Sequence, residues 1–472
     1  MARYAAMKPN NSKSIPASFR QTIWRSWLSW LLLLAYVWLN LSTYNPIIGG
    51  ALALLAILLA MNGLAQTQQL FLVDDQHWWK KHPILYHLHK IFDEGEFAGI
   101  LFALIFWFFM ILRGGPIFSQ GAEHFVTGPL TLLGIMSAAN LAVRNMSALL
   151  NWLERRLGLY WAIVIGSCFS SFASLGAAVF IGDYFVARVS QKNRAAAATG
   201  FASSIGSGMG ITPFAAPPVL IVWPILVGTL GWNISTLALW VGVGSLLHVL
   251  VSTWRLRSLI DKDIPLPTIR HGFPTPLLGL LLIVGANILD AQHLVTWALN
   301  LSAGVIAWQA GRDYPSRWQA LVLSLLLAGL ELVGRETDPF IQAVANYIPV
   351  DLPPLLLAWI LWYATAFTSH FADNALASRI FIGVAIALGS KLDAQLSDGS
   401  RMTDLLAASV VLGAIWGGFV LIPANLPNFR LARVFQVTPQ EWAQSALKNY
   451  YLITIWIHPL WISALLWVPG LL

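Results

Sequence analysis

The feature that most constrains this chain is a series of long apolar runs. They lie near residues 24–41, 47–64, 97–112, 126–148, 159–181, 196–230, 234–253, 275–289, 293–309, 318–333, 352–390, 403–429 and 451–469. The runs do not alternate apolar with polar residues, as the strands of a transmembrane barrel would, and most approach the roughly 20 residues that a helix needs to cross a bilayer. Inside lipid the backbone must satisfy its own hydrogen bonds, so such a chain is expected to be an all-α polytopic membrane protein. Composition agrees. Hydrophobic residues make up 57% of the chain and charged residues 10%, where a soluble domain carries about 25% charged residues. An ordinary soluble enzyme is excluded on that ground.

The net charge of +7 comes from Lys and Arg gathered in short loops, where they orient helices. The partner they imply is the lipid bilayer and not nucleic acid. The single cysteine, Cys168, sits within an apolar run and has no second cysteine for an intramolecular disulfide. Residues 1–23 read as a polar, basic cytoplasmic tail that is retained, because no small-residue cleavage site follows the first apolar run.

Two runs resist a simple crossing. The stretch 159–181 carries Ser167, Ser170, Ser171 and Ser174 at its middle and is flanked on both sides by basic residues, Arg155 and Arg156 before it, Arg188, Lys192 and Arg194 after it. A re-entrant hairpin keeps both basic clusters inside. The stretch 352–390, with His370, Asp373 and Asn374 at its centre, reads as a second hairpin opening to the opposite side. In that topology 22 of the 28 Lys and Arg residues are cytoplasmic. The N-terminus is then inside and the C-terminus outside.

The two hairpin centres also resemble each other. SSFASLGAA (Ser170 to Ala178) aligns with SHFADNALA (Ser369 to Ala377), placing Phe172 and Phe371 199 residues apart. Each is followed by a span rich in Gly and Pro, SIGSGMGITPFAAPP (Ser204 to Pro218) and GGFVLIPANLPN (Gly417 to Asn428). Proline withholds a backbone donor and glycine holds a helix poorly, so both spans should unwind. The expected fold is therefore two inverted repeats, each with a re-entrant hairpin and a broken transmembrane helix, and with a binding site at the repeat interface. The expected divisions are the tail 1–23; scaffold helices and first-half entry 24–153; a first transport unit 154–233 (hairpin 159–181, broken helix 196–230); scaffold 234–335; a second transport unit 336–434 (hairpin 352–390, broken helix 403–429); and an amphipathic segment with the last transmembrane helix, 435–472.

Asp373 is the sharpest candidate. A carboxylate in an apolar hairpin costs about 2.5–3.5 kcal/mol on insertion scales and needs a partner or an aqueous cavity. Asn374 beside it, with Asn425 and Asn428 in the facing span, would complete an oxygen-rich set suited to a small cation. The bland alternative is that Asp373 caps the second hairpin helix or pairs with Arg379. In the first half Ser170, Ser171, Ser174, Ser207 and Thr212 supply hydroxyls for a cation or an anion, or serve close helix packing. Asp183 is expected to pair with Arg188. Glu94 and Glu96, in HLHKIFDEGEF, and Glu331, late in an apolar run, are candidates for proton-linked roles; the first two also suit the start of a spanning helix. No metal-ligand spacing, catalytic triad or phosphate loop appears, so neither an enzymatic activity nor a bound cofactor is expected.

SIGSGMGITPFAAPPVL, AFTSHFADNALASR and GGFVLIPANLPN, together with HLHKIFDEGEF, resemble the bacterial sodium/proton antiporter family of the ion transporter superfamily, whose relatives carry arsenite and citrate or dicarboxylates. The resemblance covers roughly Tyr160 to Val434. It implies an inverted-repeat fold with opposed hairpins, an elevator-like movement and often a homodimer. Members place an acid-Asn or Ser-Asn pair at a hairpin tip; Asp373 and Asn374 match it, while the first half has Ser174 and Leu175. The implied function is secondary active transport in the inner (plasma) membrane, with sodium exchanged for protons at a carboxylate that both share. A sodium- or proton-coupled carrier of a carboxylate or oxyanion is the alternative.

Overall fold

The computed structural model describes residues 31–42, 45–56, 108, 148–171, 174–213, 217–261, 264, 336–349, 351–371, 373–395 and 401–467; of 174–176, 179, 423 and 426 only the backbone is described. The tail 1–23, Glu94, Glu96 and Glu331 lie outside these residues. Within them the chain is helical, and its one β feature is an isolated antiparallel bridge between Val189 and Ile260.

The run 159–181 forms two helices, α1 (Leu159–Cys168), extended by a 3-10 turn to Ser171, and α2 (Ser174–Phe185). Both pack against α3 (Arg194–Gly208), which tightens into a 3-10 turn at Met209–Ile211 and gives way before Pro213. The chain resumes as a short helix at Pro217–Leu220 and as α4 (Trp223–Leu230), with Pro224 in its first turn, where its missing N–H is harmless. Gly231 ends α4 in the left-handed region (φ 66°), its N–H bonding Val227 C=O while Trp232 N–H reaches back to Leu226 C=O, so that the last carbonyls are satisfied. After a π turn the chain continues as α5 (Val243–Leu256).

The later half repeats this order. Helices α6 (Pro354–Phe371) and α7 (Asn374–Gln395) both pack against α8 (Met402–Gly417). At Gly418 the helix stops, turns through Ile422–Ala424, and restarts as α9 (Leu426–Phe435), with Pro427 in its first turn. Here Gln436, not glycine, takes the left-handed position (φ 55°) at the helix end. Helix α10 (Pro439–Ala446) opens on a capping box between Thr438 and Glu441, whose carboxylate, accepting from the Thr438 backbone N–H, is held below the usual range. A final helix, α11 (Ile457–Leu465), closes the described chain.

The two halves interlock. The Pro217–Leu220 limb, beyond the first break, packs on α7 of the second half, while α9, beyond the second break, packs on α2 and α3 of the first. Among the described residues two helical stretches are long and apolar enough to cross a membrane, Ile234–Leu259 and Asn374–Asp393. Helix α5 buries Ser245, His248 and Ser252 beside Val249 and Leu256, and exposes Leu246, Leu247 and Trp254.

One expected ion pair, and one weighed as an alternative, are drawn differently. Arg188 does not take Asp183; it forks onto Glu154 with two contacts of 2.8 Å, and Asp183 instead pairs with Arg430 on α9 at 3.2 Å. Position along a helix decides this, since Glu154 lies on the helix before α1 and faces the 3-10 turn that carries Arg188. Arg379 gives both terminal nitrogens to Asp338 at 3.0 Å.

Candidate functional site

The breaks in the helices are positioned by backbone contact. In the first half α3 lies so close to the end of α1 that a methyl group on Gly208 would overlap Ser167 C=O and meet Ser170 Oγ at 2.7 Å. In the second half a methyl group on Gly417 would overlap Ala366 C=O and meet Ser369 Cβ at 2.7 Å. Ser170 Oγ donates to Ile205 C=O at 2.6 Å, and Ser369 Oγ donates to Ala414 C=O at 2.9 Å. The same residue types thus make the same contact twice, because glycine lets a hairpin arm touch the broken helix and serine then satisfies a carbonyl across the contact.

Beyond this shared framework the halves diverge. Ser171 Oγ donates to Cys168 C=O at 2.8 Å, and Thr212 Oγ1 to Ser171 C=O at 2.9 Å. Ser170 and Thr212 thereby tie one end of the hairpin to the broken helix, while Ser171 closes the last turn of its own arm. Ser207 is the exception, for its buried hydroxyl has no hydrogen-bond partner. Ser174 begins α2, and its side chain is not described.

At the second break the polar groups are buried and largely unpaired. Asp373 accepts from the Ala375 amide at 2.8 Å, so it does cap α7. Asn374 is fully buried, and neither Oδ1 nor Nδ2 has a partner. Asn428 donates through Nδ2 to Gly418 C=O at 2.7 Å and Leu421 C=O at 2.9 Å, leaving Oδ1 unpaired. Asn425 Nδ2 is unpaired as well. These residues converge: a methyl on Gly418 would meet Asn374 Nδ2 at 3.1 Å, and one on Gly206 of α3 would come within 3.9 Å of Asn425 Nδ2. Asn374, Asn425 and Asn428 therefore surround the unwound 418–425 stretch, Asp373 adjoins them, and Gly206 with its neighbour Ser207 approaches from the first half. A buried polar atom without a partner costs about 1–3 kcal/mol, so several around one helix break form a poor core and a suitable ligand cradle.

His370 belongs to this region too. Its Nδ1 lies 3.0 Å from Gly417 C=O, and since a carbonyl can only accept, Nδ1 carries the proton. Trp416 and Tyr451 flank its ring, with centroids at 5.5 and 6.0 Å. An imidazole inside an apolar hairpin was the signal available for it in the sequence. Between the halves, Ser203, Ser252 and His248 of the first and His458 of the second make a separate buried polar cluster, and there the signal was a lone histidine in each of two apolar runs.

Compared with models of known protein families the chain matches none, and a search of curated proteins finds no match.

Proposed function

We propose that this chain is a polytopic membrane transporter of two inverted repeats that exchanges a small cation, most simply sodium, for protons. The observation that carries this reading is the unpaired, buried set of Asn374, Asn428 and Asn425 beside Asp373, where two broken helices meet. A hard cation takes oxygen ligands, and the Asp373 carboxylate with Oδ1 of Asn374 and of Asn428 supplies them. A carboxylate that holds either a cation or a proton, and not both, couples the two loads without further machinery. The membrane setting is supported by the length and apolarity of Ile234–Leu259 and by Leu246, Leu247 and Trp254 exposed on α5. The matched contacts at Gly208 and Gly417, with the crossed packing of the limbs beyond each break, support the repeat. The N-terminus is cytoplasmic, the C-terminus outside, and the setting the inner membrane.

A second reading has its own observation. Asn374 Nδ2 and Asn425 Nδ2 are unpaired donors, which an anion such as a carboxylate or oxyanion would use. Purified protein in liposomes, with internal pH followed while sodium, lithium, potassium or carboxylates are added outside, should release protons in answer to sodium. Proton movement driven only by carboxylates would replace the first reading with the second. Asn425→Asp then separates the two by sign: the added charge should preserve or tighten cation binding, whereas at an effective dielectric near 20 and about 4 Å it would repel an anion by roughly 4 kcal/mol, several hundredfold in affinity.

A further inference from the structure

We propose, resting on the membrane setting above but not on antiport, that the face shared by the end of α5 and the start of α1 binds one anionic phospholipid. Its phosphate sits on Arg257 and its acyl chain runs along Trp254, Trp161 and Leu247. Helices α1 and α5 pack together, and Tyr160 joins them by donating its hydroxyl to Leu250 C=O at 3.1 Å. Residues 247, 250, 254 and 257 follow one another at helical spacing and so share the face that Tyr160 touches. Along that face the order is Leu, Leu, Trp, Arg. Leu247 and Trp254 are exposed (41% and 59%), as is Arg257.

This order matches the depth profile of one leaflet. From Leu247 to Arg257 the helix advances ten residues, about 15 Å at roughly 1.5 Å per residue, which is half of a hydrocarbon core of about 30 Å. Aliphatic side chains then lie at acyl depth, tryptophan at the interface and arginine at the headgroups. Helix α1 supplies the other side of the face. Trp161 is 48% exposed and stands edge-on to Tyr160, with ring centroids 5.3 Å apart. Arg156 lies four residues before Tyr160 and is exposed. Two exposed indoles are thus paired with two exposed guanidinium groups, one of each from either side.

The charges select the headgroup. Arg257 holds its guanidinium over the Tyr160 ring, with Cζ 5.5 Å from the centroid, a contact that positions the group without using its N–H donors. Among the described residues the Arg257 side chain has no hydrogen bond or ion pair. Glu154, the acid closest to Arg156 in the chain, is held by Arg188 and Tyr184, and Asp261, the acid that follows Arg257, is engaged as well. Neither carboxylate is left to take the amine of a zwitterionic lipid. A phosphodiester that carries no cation of its own meets guanidinium donors shaped for two-point contact with its oxygens. Each such basic residue near a membrane surface raises the affinity for anionic lipid by about fivefold.

The test is native mass spectrometry of the full-length protein purified in mild detergent, with phosphatidylglycerol and phosphatidylcholine of the same acyl chains offered at equal concentration. Expected is one phosphatidylglycerol retained per chain in preference to phosphatidylcholine. Arg257→Gln should weaken that retention by about fivefold, while Arg255→Gln, exposed on another face of α5, should change it little. Trp254→Ala should lower the retention of both lipids alike, because an indole packs on chain and glycerol and does not read headgroup charge. Should Arg257→Gln fail to fold, salt decides with the wild type, whose preference should fall as ionic strength rises. Equal retention of the two lipids, equal loss in the two arginine variants, a preference unmoved by salt, or displacement of the lipid by inorganic phosphate at the same concentration would overturn the proposal. Failure of the lipid site and failure of the membrane setting are distinguishable. A chain that enters phosphatidylcholine nanodiscs but shows no headgroup preference loses only the lipid site, whereas one that enters no nanodisc loses the membrane setting with it.

Discussion

The two halves of the molecule build the same joint and then treat it in opposite ways. At the first break the hydroxyls of Ser170, Ser171 and Thr212 are donated to main-chain carbonyls, so these polar residues, though not Ser207, act as fasteners. At the second, Ser369 fastens in the same manner, yet Asn374, Asn425 and Asn428 keep atoms buried and unpaired. Matching architecture therefore does not imply matching chemistry. A helix break becomes a candidate site when its polar groups are left with capacity after the framework is satisfied.

The largest effect should come from Asp373→Asn. The amide oxygen can still accept the Ala375 N–H and cap α7, while the charge is lost, so protein yield should hold and sodium-driven proton release in vesicles should fall to the level of protein-free liposomes. Normal exchange at equal protein density would break the asymmetry between the two halves and return Asp373 to a purely capping role.

Next are Gly208→Ala and Gly417→Ala. Each methyl overlaps a carbonyl of the neighbouring hairpin arm, and overpacking of this kind costs about 1–3 kcal/mol. Thermal unfolding in detergent should show a similar loss for both, because the contact is the same in each half. A loss at one position alone would mean that the likeness of the two joints is superficial.

That likeness was partly legible in the sequence. The glycines, prolines and the paired motifs at Phe172 and Phe371 mark where helices must stop, since those residues act on the backbone directly. The divergence was not legible. Ser170 and Asn374 are both short polar residues in apolar runs, and whether such a group is satisfied depends on which carbonyl lies across the interface. Asp183 illustrates the same limit: Arg188 is five residues away, but the fold brings Arg430 to it and gives Arg188 to Glu154. His248 and His458 escaped notice because each is a lone imidazole until α5 and α11 are placed side by side.

A smaller effect is expected from Ser170→Ala and Ser369→Ala. Each removes one hydrogen bond to a carbonyl, about 1 kcal/mol in stability, and exchange per folded molecule should be nearly unchanged in both. Exchange lost in Ser170→Ala while Ser369→Ala stays active would place ligand contacts in the first half and sharpen the comparison in the other direction.

The smallest effects concern the ends of the broken helices, where Gly231 and Gln436 occupy the same left-handed conformation. Gly231→Ala should destabilise by about 1 kcal/mol through backbone strain alone, since a Cβ there meets nothing within 4 Å. Gln436→Gly should stabilise by about 0.5–1 kcal/mol, reduced slightly by the lost contact with Arg194. Both are readable as shifts in melting temperature, and equal signs would refute the equivalence of the two ends.

The close seating of Gly208 and Gly417 has a mechanical consequence. Surfaces that touch main chain to main chain, with no side chain as lubricant, cannot slide without first separating, and separation strands the carbonyls that Ser170 and Ser369 now satisfy. Each hairpin arm is thus keyed to its own broken helix like a tooth in a notch. Large displacements in this molecule are then confined to surfaces where side chains intervene, and each keyed pair travels as one piece.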